Sequence, residues 1–494
     1  MSLISVNNLT FGYDGSLKNI FENVSFNIDT DWKLGLIGRN GKGKTTFLKL
    51  LLGKYEYQGA ISKNVEFDYF PFEVKNKERM AIEIVNEIAP NVEDWEIIRE
   101  LNLLNTDTEV LYRSFNLLSG GEQIKILLIS LFLKGNNFLL IDEPTNHLDI
   151  ETRNNLVNYL EKKKGFILVS HDRNFLDKVV NHIISINNTN IEIQQGNFSS
   201  WKENKNRQDN FEKIQNERLQ KDINRLEIAS KNCAKWSNEA EKTKNKKYNS
   251  ETTIDKGYIG HKADKMMKKS KVMEQRIEKA INEKTNLLKN IEVNDTLKII
   301  PLKSNKNPLI FAHNLQIKYS KETIFNPITF EVNNGDRVAL IGKNGIGKSS
   351  ILKLILGEEL QYNGEFMVAN DLKISYVSQS TEDLKGNLRT FAYDNKINES
   401  IFKAMLVKMG LSQFDFDTNI QDMSEVQKKK VLIAKSISEQ ANIYIWDEPL
   451  NYIDILTREQ IEDAILNYNP TIIFVEHDEK FIEKVATKII NLVK

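Results

Sequence analysis

A single cysteine, Cys233, stands among the 494 residues, so no disulfide can form within the chain and a reducing compartment is the expected home. Excess charge is missing too: 68 Lys and Arg balance 68 Asp and Glu, which excludes a uniformly basic polyanion-binding protein. The opening MSLISVNNLTFGYDG has no basic segment followed by an apolar core, so no signal peptide is expected and the chain reads as cytoplasmic. Long hydrophobic runs are also absent. The most apolar stretch, IKILLISLFLKGNNFLLI at 124–141, is broken by Lys125 and by Lys134-Gly135-Asn136-Asn137, leaving pieces shorter than the ~20 residues a membrane helix needs. It reads as a buried helix followed by a buried strand. Proline is scarce, and none occurs from 202 to 300, where only Gly257 and Gly260 could interrupt a helix.

At this length the chain exceeds what one core holds, and two or three domains are expected. The chain repeats itself. GRNGKGKTT at 38–46 answers GKNGIGKSS at 342–350, LLIDEPTNHLD at 139–149 answers YIWDEPLNYID at 444–454, and LVSHDRNFL at 168–176 answers FVEHDEKFI at 474–482. Lys44 pairs with Lys348, Glu143 with Glu448 and His171 with His477, at offsets of 304 to 306 residues. So steady an offset means tandem copies of one domain, placed at 1–200 and 306–494 with residues 201–305 between them. Within each copy, short apolar runs ending in Gly-rich turns alternate with amphipathic segments, the pattern of an α/β domain with a largely parallel sheet.

The intervening sequence differs in kind. Apolar residues recur at helical spacing, at Phe211, Ile214, Ile223 and Leu226, then Met266, Val272, Met273, Ile277, Ile281 and Leu288. This predicts two long antiparallel helices, 205–247 and 262–292, forming a hairpin with its tip near 248–271. From Lys242 to Arg276 eleven Lys and Arg face only four acids, so the neutral total hides a basic window. A solvated coiled-coil spacer would leave that gathering of charge and aromatics unexplained.

G-x-x-x-x-G-K-[ST] is matched at Gly38–Thr45 and again at Gly342–Ser349. Its glycines let consecutive N–H groups close around phosphates at a helix N-terminus, and its lysine reaches the terminal phosphates. The candidate nucleotide-binding set is therefore Gly38, Asn40, Gly41, Gly43, Lys44, Thr45 and Thr46, with Gly342, Asn344, Gly345, Gly347, Lys348, Ser349 and Ser350 in the second copy. Thr45 with Asp142, and Ser349 with Asp447, are candidate Mg2+ ligands; Glu143 and Glu448 are candidate groups to orient or deprotonate the attacking water. His171 and His477 each end an apolar strand, where an imidazole could hold a γ-phosphate.

The residues Leu118-Ser119-Gly120-Gly121-Glu122-Gln123 resemble the signature of ABC-type ATPases. That resemblance covers both copies and implies α/β P-loop ATPase domains in tandem, joined by the long antiparallel helical hairpin. It implies a head-to-tail sandwich within one monomer, with ATP and Mg2+ as cofactors and Ser119, Gly120 and Gly121 covering nucleotide held by the other copy. It also implies Tyr13 and Tyr319 as adenine-stacking residues and Asp149 and Asp454 as contacts between the copies. Two departures stand out. The second signature reads Met423-Ser424-Glu425-Val426-Gln427, with Val426 where a glycine belongs; Phe72 stands opposite Gln379, the glutamine that in this family senses Mg2+ and water. Head-to-tail packing puts both defects in one composite site, with Lys44, Glu143 and His171 against Ser424, and leaves the site of Lys348, Gln379, Glu448 and His477 intact. The intact site is expected to turn over faster, unless Glu73 or water replaces the glutamine and the sites work alike.

Two fused ABC ATPases joined by a helical, basic linker resemble the ABC-F family of translation factors, as do DEPTNHLD at 142–149, GNFSSW at 196–201 and GHKADKMMKKSK at 260–271. The resemblance implies that the ATP-bound form enters the exit site of the bacterial 70S ribosome and contacts peptidyl-site tRNA and 23S rRNA through the linker tip. The candidate RNA contacts are Lys246, Lys247, Lys256, Tyr258, Ile259, His261, Lys262, Lys265, Lys268, Lys269 and Lys271. Only 47 residues separate Phe72 from Ser119 and 45 separate Gln379 from Ser424, leaving no room for the extra arm of some general factors, and 17 residues follow His477. Those features are most similar to the resistance members that protect ribosomes from lincosamides, streptogramin A and pleuromutilins by displacing drug. A housekeeping translation factor is the alternative. A transporter ATPase would need a transmembrane partner, which is not expected; a DNA-repair ABC ATPase usually carries zinc ligands that one cysteine and six histidines do not supply.

Overall fold

The computed structural model describes residues 2–14, 19–135, 137–146, 148–187, 189–245, 265, 268, 271–273, 275–280, 296–319 and 322–494. The chain divides into two compact units, Met1–Trp201 with Asn294–Lys494, and Lys202–Val293.

The first unit holds two similar α/β copies. In the first, parallel strands lie in the order Glu66–Phe70, Asn137–Asp142, Phe166–Val169, Lys33–Ile37 and His182–Asn187, and Asn190–Gln195 closes the sheet antiparallel. The second repeats this with Ile374–Val377, Ile443–Asp447, Ile472–Val475, Arg337–Ile341 and Lys488–Asn491. These strands read FLLI, FILV, IYIW and IIFV because both faces of a central parallel sheet are covered. Side chains alternate between two cores: Leu139, Ile141, Phe166 and Leu168 enter one, Phe138, Leu140, Ile167 and Val169 the other. An antiparallel sheet, Phe21–Asp29, Leu3–Phe11 and Gln58–Ser62, flanks the first copy; Ile310–Tyr319 organises its counterpart.

Helix starts are set by side chains named in the repeat. Asp149 caps Ile150–Leu160 by accepting from Thr152 N at 2.9 Å, and Asp454 caps Ile455–Tyr468 through Thr457 N at 3.0 Å. Ser119 and Glu122 form a capping box at Gly120–Leu133, as do Ser424 and Gln427 at Glu425–Ser438.

The copies meet through polar contacts, some buried and some at the surface. Arg153 Nη1 donates to Asp172 Oδ2 and to the carbonyl of His477, both at 3.1 Å, and Asn40 Nδ2 donates to the carbonyl of Tyr452 at 2.9 Å. Arg173 forms a buried bidentate pair with Glu462, which also accepts from Lys484 at 3.0 Å. Lys343 reaches Glu151 at 2.7 Å, and Lys480 pairs with Asp177.

A helix of 48 residues, Phe198–Asn245, ~70 Å at 1.5 Å per residue, starts in the last residues of the first unit's N-terminal segment and supplies residues 202–245 of the second. It begins at Phe198 rather than the expected 205, because Ser199 N and Oγ each donate to the Asp177 carboxylate at 2.6 Å and Phe198 is buried. The described residues between 265 and 280 are helical. Ile223 and Ile277 are buried, whereas Phe211, Ile214, Val272 and Met273 are exposed, so the anticipated apolar seam is discontinuous among the described residues. No helix among the described residues is long and apolar enough to cross a membrane.

The Arg173–Glu462 pair yields a stability test. Arg173→Ala leaves the fully buried Glu462 carboxylate with Lys484 as its one remaining cation among the described residues and is expected to cost about 3 kcal/mol, whereas the double change Arg173→Met, Glu462→Leu recovers most of it. Denaturant melts of both variants measure this; equal losses would contradict the electrostatic account.

Candidate functional site

Adjacent parallel strands bring the repeated motifs to one sheet edge. Lys33–Ile37 delivers the first P-loop, Phe166–Val169 delivers His171 and Asn137–Asp142 delivers Asp142 and Glu143. Lys44 is buried, with Nζ donating to the Gly38 carbonyl at 2.8 Å and Asn40 Oδ1 at 2.9 Å; burial lowers its pKa, while Asp454 of the other copy, Glu143 and Asp142 pull it back up. Thr45 Oγ1 lies 3.3 Å from Asp142 Oδ2, which also accepts from the Tyr69 hydroxyl at 2.9 Å. Tyr13, half-exposed, shares a 2.9 Å hydrogen bond with Thr46 and packs edge-on against Phe11 and Tyr55. Gly43 must be glycine: its φ is +96°, and a Cβ would come within 2.6 Å of Ile20 Cγ2.

The second copy repeats this frame. Lys348 Nζ donates to the carbonyls of Gly342 at 2.8 Å and Lys343 at 3.1 Å. Burial raises Asp447, and a hydrogen bond from Ser349 offsets part of that rise. Gly347 has φ +100° above Ile324 and Phe325. The strand residue Tyr319 pairs with Glu322; its side chain lies outside what is described.

The two candidate water-orienting carboxylates share a backbone and differ in surroundings. Glu143 and Glu448 both sit at positive φ, 52° and 46°, an uncommon conformation for a side-chain-bearing residue that turns each carboxylate off the strand end. Glu448 Oε2 accepts from Gln379 Nε2 at 2.9 Å and Asn451 Nδ2 at 2.7 Å, with His477 Nε2 at 3.5 Å from Oε1. Burial pushes its pKa up, but His477 and these donors prevail and hold it near about 2. Among the described residues no side chain donates a hydrogen bond to Glu143, and only the backbone of His171 acts on it in the way those donors act on Glu448. Glu143 Oε1 lies 3.2 Å from His171 Nε2 without forming a hydrogen bond, both carboxylate oxygens are buried without a side-chain partner, and burial followed by the Asp142 charge pushes its pKa up to about 8. His171 is kept neutral by burial and by the nearby Lys44 and Arg458 charges, so this contact is not an ion pair. Phe72, opposite Gln379 in the repeat, packs on the first copy's core.

The copies interleave around both sites. Asp149 accepts a backbone hydrogen bond from Asn344, and its charge reaches Lys348; Asp454 acts likewise on Lys44 and His171. Gly120 faces open space and Gly121 looks onto Thr152 and Leu148. In the second signature both glycines are replaced, by Glu425 and a half-buried Val426.

The frame suits a Mg-nucleotide. Glu143 Oε1 and Oε2, Asp447 Oδ1 and His477 Nε2 are buried polar atoms without hydrogen-bond partners, and no atom stands within 4 Å of a Cβ added at Gly41 or Gly345. The sequence reading missed Tyr69, Asn451, Arg153 and Lys429, of which Lys429 was detectable as a lysine standing opposite the apolar Ile124. Lys246, Lys247, Lys256, Tyr258, Ile259, His261, Lys262 and Lys269 lie outside the described residues; Lys265, Lys268 and Lys271 are helical, and exposed.

Gly43→Ala and Gly347→Ala are each expected to remove one of two bound nucleotides per chain, because a positive-φ alanine costs ~1–2 kcal/mol before any clash. Equilibrium titration with a fluorescent ATP analogue reads the stoichiometry; two sites retained in both variants would reject the cradle assignment.

The profile of the ABC transporter family matches residues 21–146 and 325–451. The ATP-binding protein Uup of Buchnera aphidicola subsp. Acyrthosiphon pisum is 30% identical over 515 residues, covering 99% of this chain and 80% of that protein. The ribosome protection protein VmlR of Bacillus subtilis is 28% identical over 484 residues, covering 96% of this chain and 84% of that one. Among solved structures, the archaeal ribosome recycling factor aABCE1 in complex with ribosomal stalk protein aP1 matches with a TM-score of 0.64 at 18% identity, covering 98% of this chain and 87% of that one, a likeness of fold. With both copies matched and both P-loops formed, the chain belongs to the ABC family of ATPases, as a tandem-domain ATP-hydrolysing enzyme of the ABC-F type.

Proposed function

We propose that this protein is a ribosome-binding ATPase that, with ATP bound, enters the exit site of the bacterial 70S ribosome, contacts peptidyl-site tRNA and 23S rRNA through residues 246–271 and displaces antibiotics from the peptidyl transferase centre. The observation that carries the reading is the combination of two nucleotide sites with a window of eleven basic residues against four acids between the copies. The full-length relationship to a protein named for ribosome protection supports it. A housekeeping translation factor is favoured as a second reading by the 30% identity to Uup, whose name specifies only ATP binding.

In this reading Lys44 and Lys348 bind the terminal phosphates, and Thr45 with Asp142, and Ser349 with Asp447 and Gln379, hold Mg2+. When bound, the cation neutralises charge on the phosphates. Glu448, kept ionised by Gln379 and Asn451, orients the attacking water and takes its proton, and His477 Nε2 donates to the γ-phosphate. Glu143 lacks those donors, so the first site holds ATP longer and the second turns over faster. Ser119, Gly120 and Gly121 complete the second site, and Ser424 the first.

Two outcomes test this. Glu448→Gln should lower steady-state ATPase activity at least tenfold, by analogy with loss of a positioned base, and Glu143→Gln should lower it less; the reverse order would overturn the assignment. The double variant Glu143→Gln, Glu448→Gln should sediment with 70S ribosomes in ATP and dissociate as salt rises. Absence of binding, with wild-type ATPase activity intact, rejects the ribosome; binding without rescue of drug-inhibited translation by the wild type selects the housekeeping reading.

A further inference from the structure

The helix Glu425–Ser438 carries a lysine where its counterpart Gly120–Leu133 carries Ile124. Lys429 is only 2% exposed, yet its Nζ turns back to donate to the carbonyls of Ser378 at 2.9 Å and Gln379 at 3.2 Å. Gln379, held by its carbonyl in this way, donates from its side-chain Nε2 to Glu448 at 2.9 Å. Burial lowers the Lys429 pKa, and Glu476, Asp447 and Glu448 supply the surrounding negative charge that keeps the ammonium in place.

A second polar tie spans the same joint. The Thr381 hydroxyl donates to Glu425 in the first turn of the helix, and Lys428 Nζ holds the other oxygen of that carboxylate at 3.1 Å. In the first copy the corresponding positions are Val74, Gly120 and Ile124, and Phe72, Val74 and Ile124 pack together on an apolar core. One joint is hydrophobic and adaptable; the other is held by directional bonds from a buried cation.

We propose that Lys429, assisted by the Thr381–Glu425 bond, is a positioning residue for hydrolysis at the second site: it fixes the loop that presents Gln379 to Glu448 and ties that loop to the helix beginning beside Ser424. The proposal rests on the reading that Glu448 and Gln379 serve one site and Ser424 the other. The brace occurs in the copy that carries the glutamine; the other copy has Phe72 at that position and Ile124 in place of the lysine. It also gives the second signature's lost glycine a use, since Glu425 replaces Gly120 and makes the Thr381 bond.

Single-site backgrounds separate this from a structural role. In Glu143→Gln, where only the second site hydrolyses, Lys429→Met should lower kcat about tenfold with the KM for ATP unchanged, the scale expected when a reacting group is slightly misplaced. Thr381→Val, nearly isosteric and tolerant of folding, should lower the same kcat about threefold. In Glu448→Gln, where only the first site hydrolyses, both changes should lower the remaining turnover by less than about twofold, since they reach that site only through the helix start at Ser424. Equal losses in both backgrounds, a raised KM, or no loss from Lys429→Met and Thr381→Val in Glu143→Gln would each overturn the proposal. Should Glu143→Gln itself be inactive while Glu448→Gln hydrolyses ATP, the site assignment fails, a result independent of Lys429. If Lys429→Met does not fold, the Thr381→Val comparison across the two backgrounds decides.

Discussion

Taking a carboxylate out of water at the end of a buried parallel strand raises its pKa unless donors or a cation compensate, and the two halves of this protein answer that demand differently. Glu448 is compensated by side chains: Gln379 and Asn451 hydrogen-bond one oxygen and His477 stands near the other. Glu143 is left with two buried, unpartnered oxygens. The same strand order, the same positive φ and the same acidic dipeptide thus produce one carboxylate held ionised and one biased towards its neutral form. The difference between the two carboxylates lies in their partners, not in the fold that carries them.

The compensation extends across the copies. Asp454 lowers the cost of burying Lys44, Asp149 does so for Lys348, and Arg153 reaches the His477 carbonyl from the opposite half. Because Lys44, Lys348 and Asp454 are buried, removing a partner takes away part of what compensates them, which makes the contact between the copies selective about geometry. A nucleotide site whose lysine is tuned by the other copy's aspartate is not a property of either copy alone.

Much of this was legible in the chain itself. The P-loops, the Asp-Glu pairs and the terminal histidines could be assigned because each depends on local chemistry: glycines that permit the backbone to turn, a lysine at a helix start, an acid at the end of an apolar strand. The start of the helix Phe198–Asn245 was misplaced by seven residues because Ser199 finds its cap in Asp177, distant in sequence. Exposed Phe211 and Ile214 show that helical spacing of apolar residues does not by itself establish a buried seam. That Phe72 replaces a glutamine is visible in the sequence, but its placement on an apolar core, and the lack of a side-chain donor to Glu143 among the described residues, depend on the packed structure.

The sequence alone determined that there are two copies, that each carries a phosphate loop, and that a basic window separates them, since repeats, glycine spacing and charge distribution are properties of order along the chain. Only the tertiary structure decided which carboxylate has donors, and that Lys429 bends back to the Gln379 loop while Ile124 stays in a core. The reason is physical: a side chain's protonation and direction depend on burial and on partners tens to hundreds of residues away, and those are fixed when the sheets and the two copies pack.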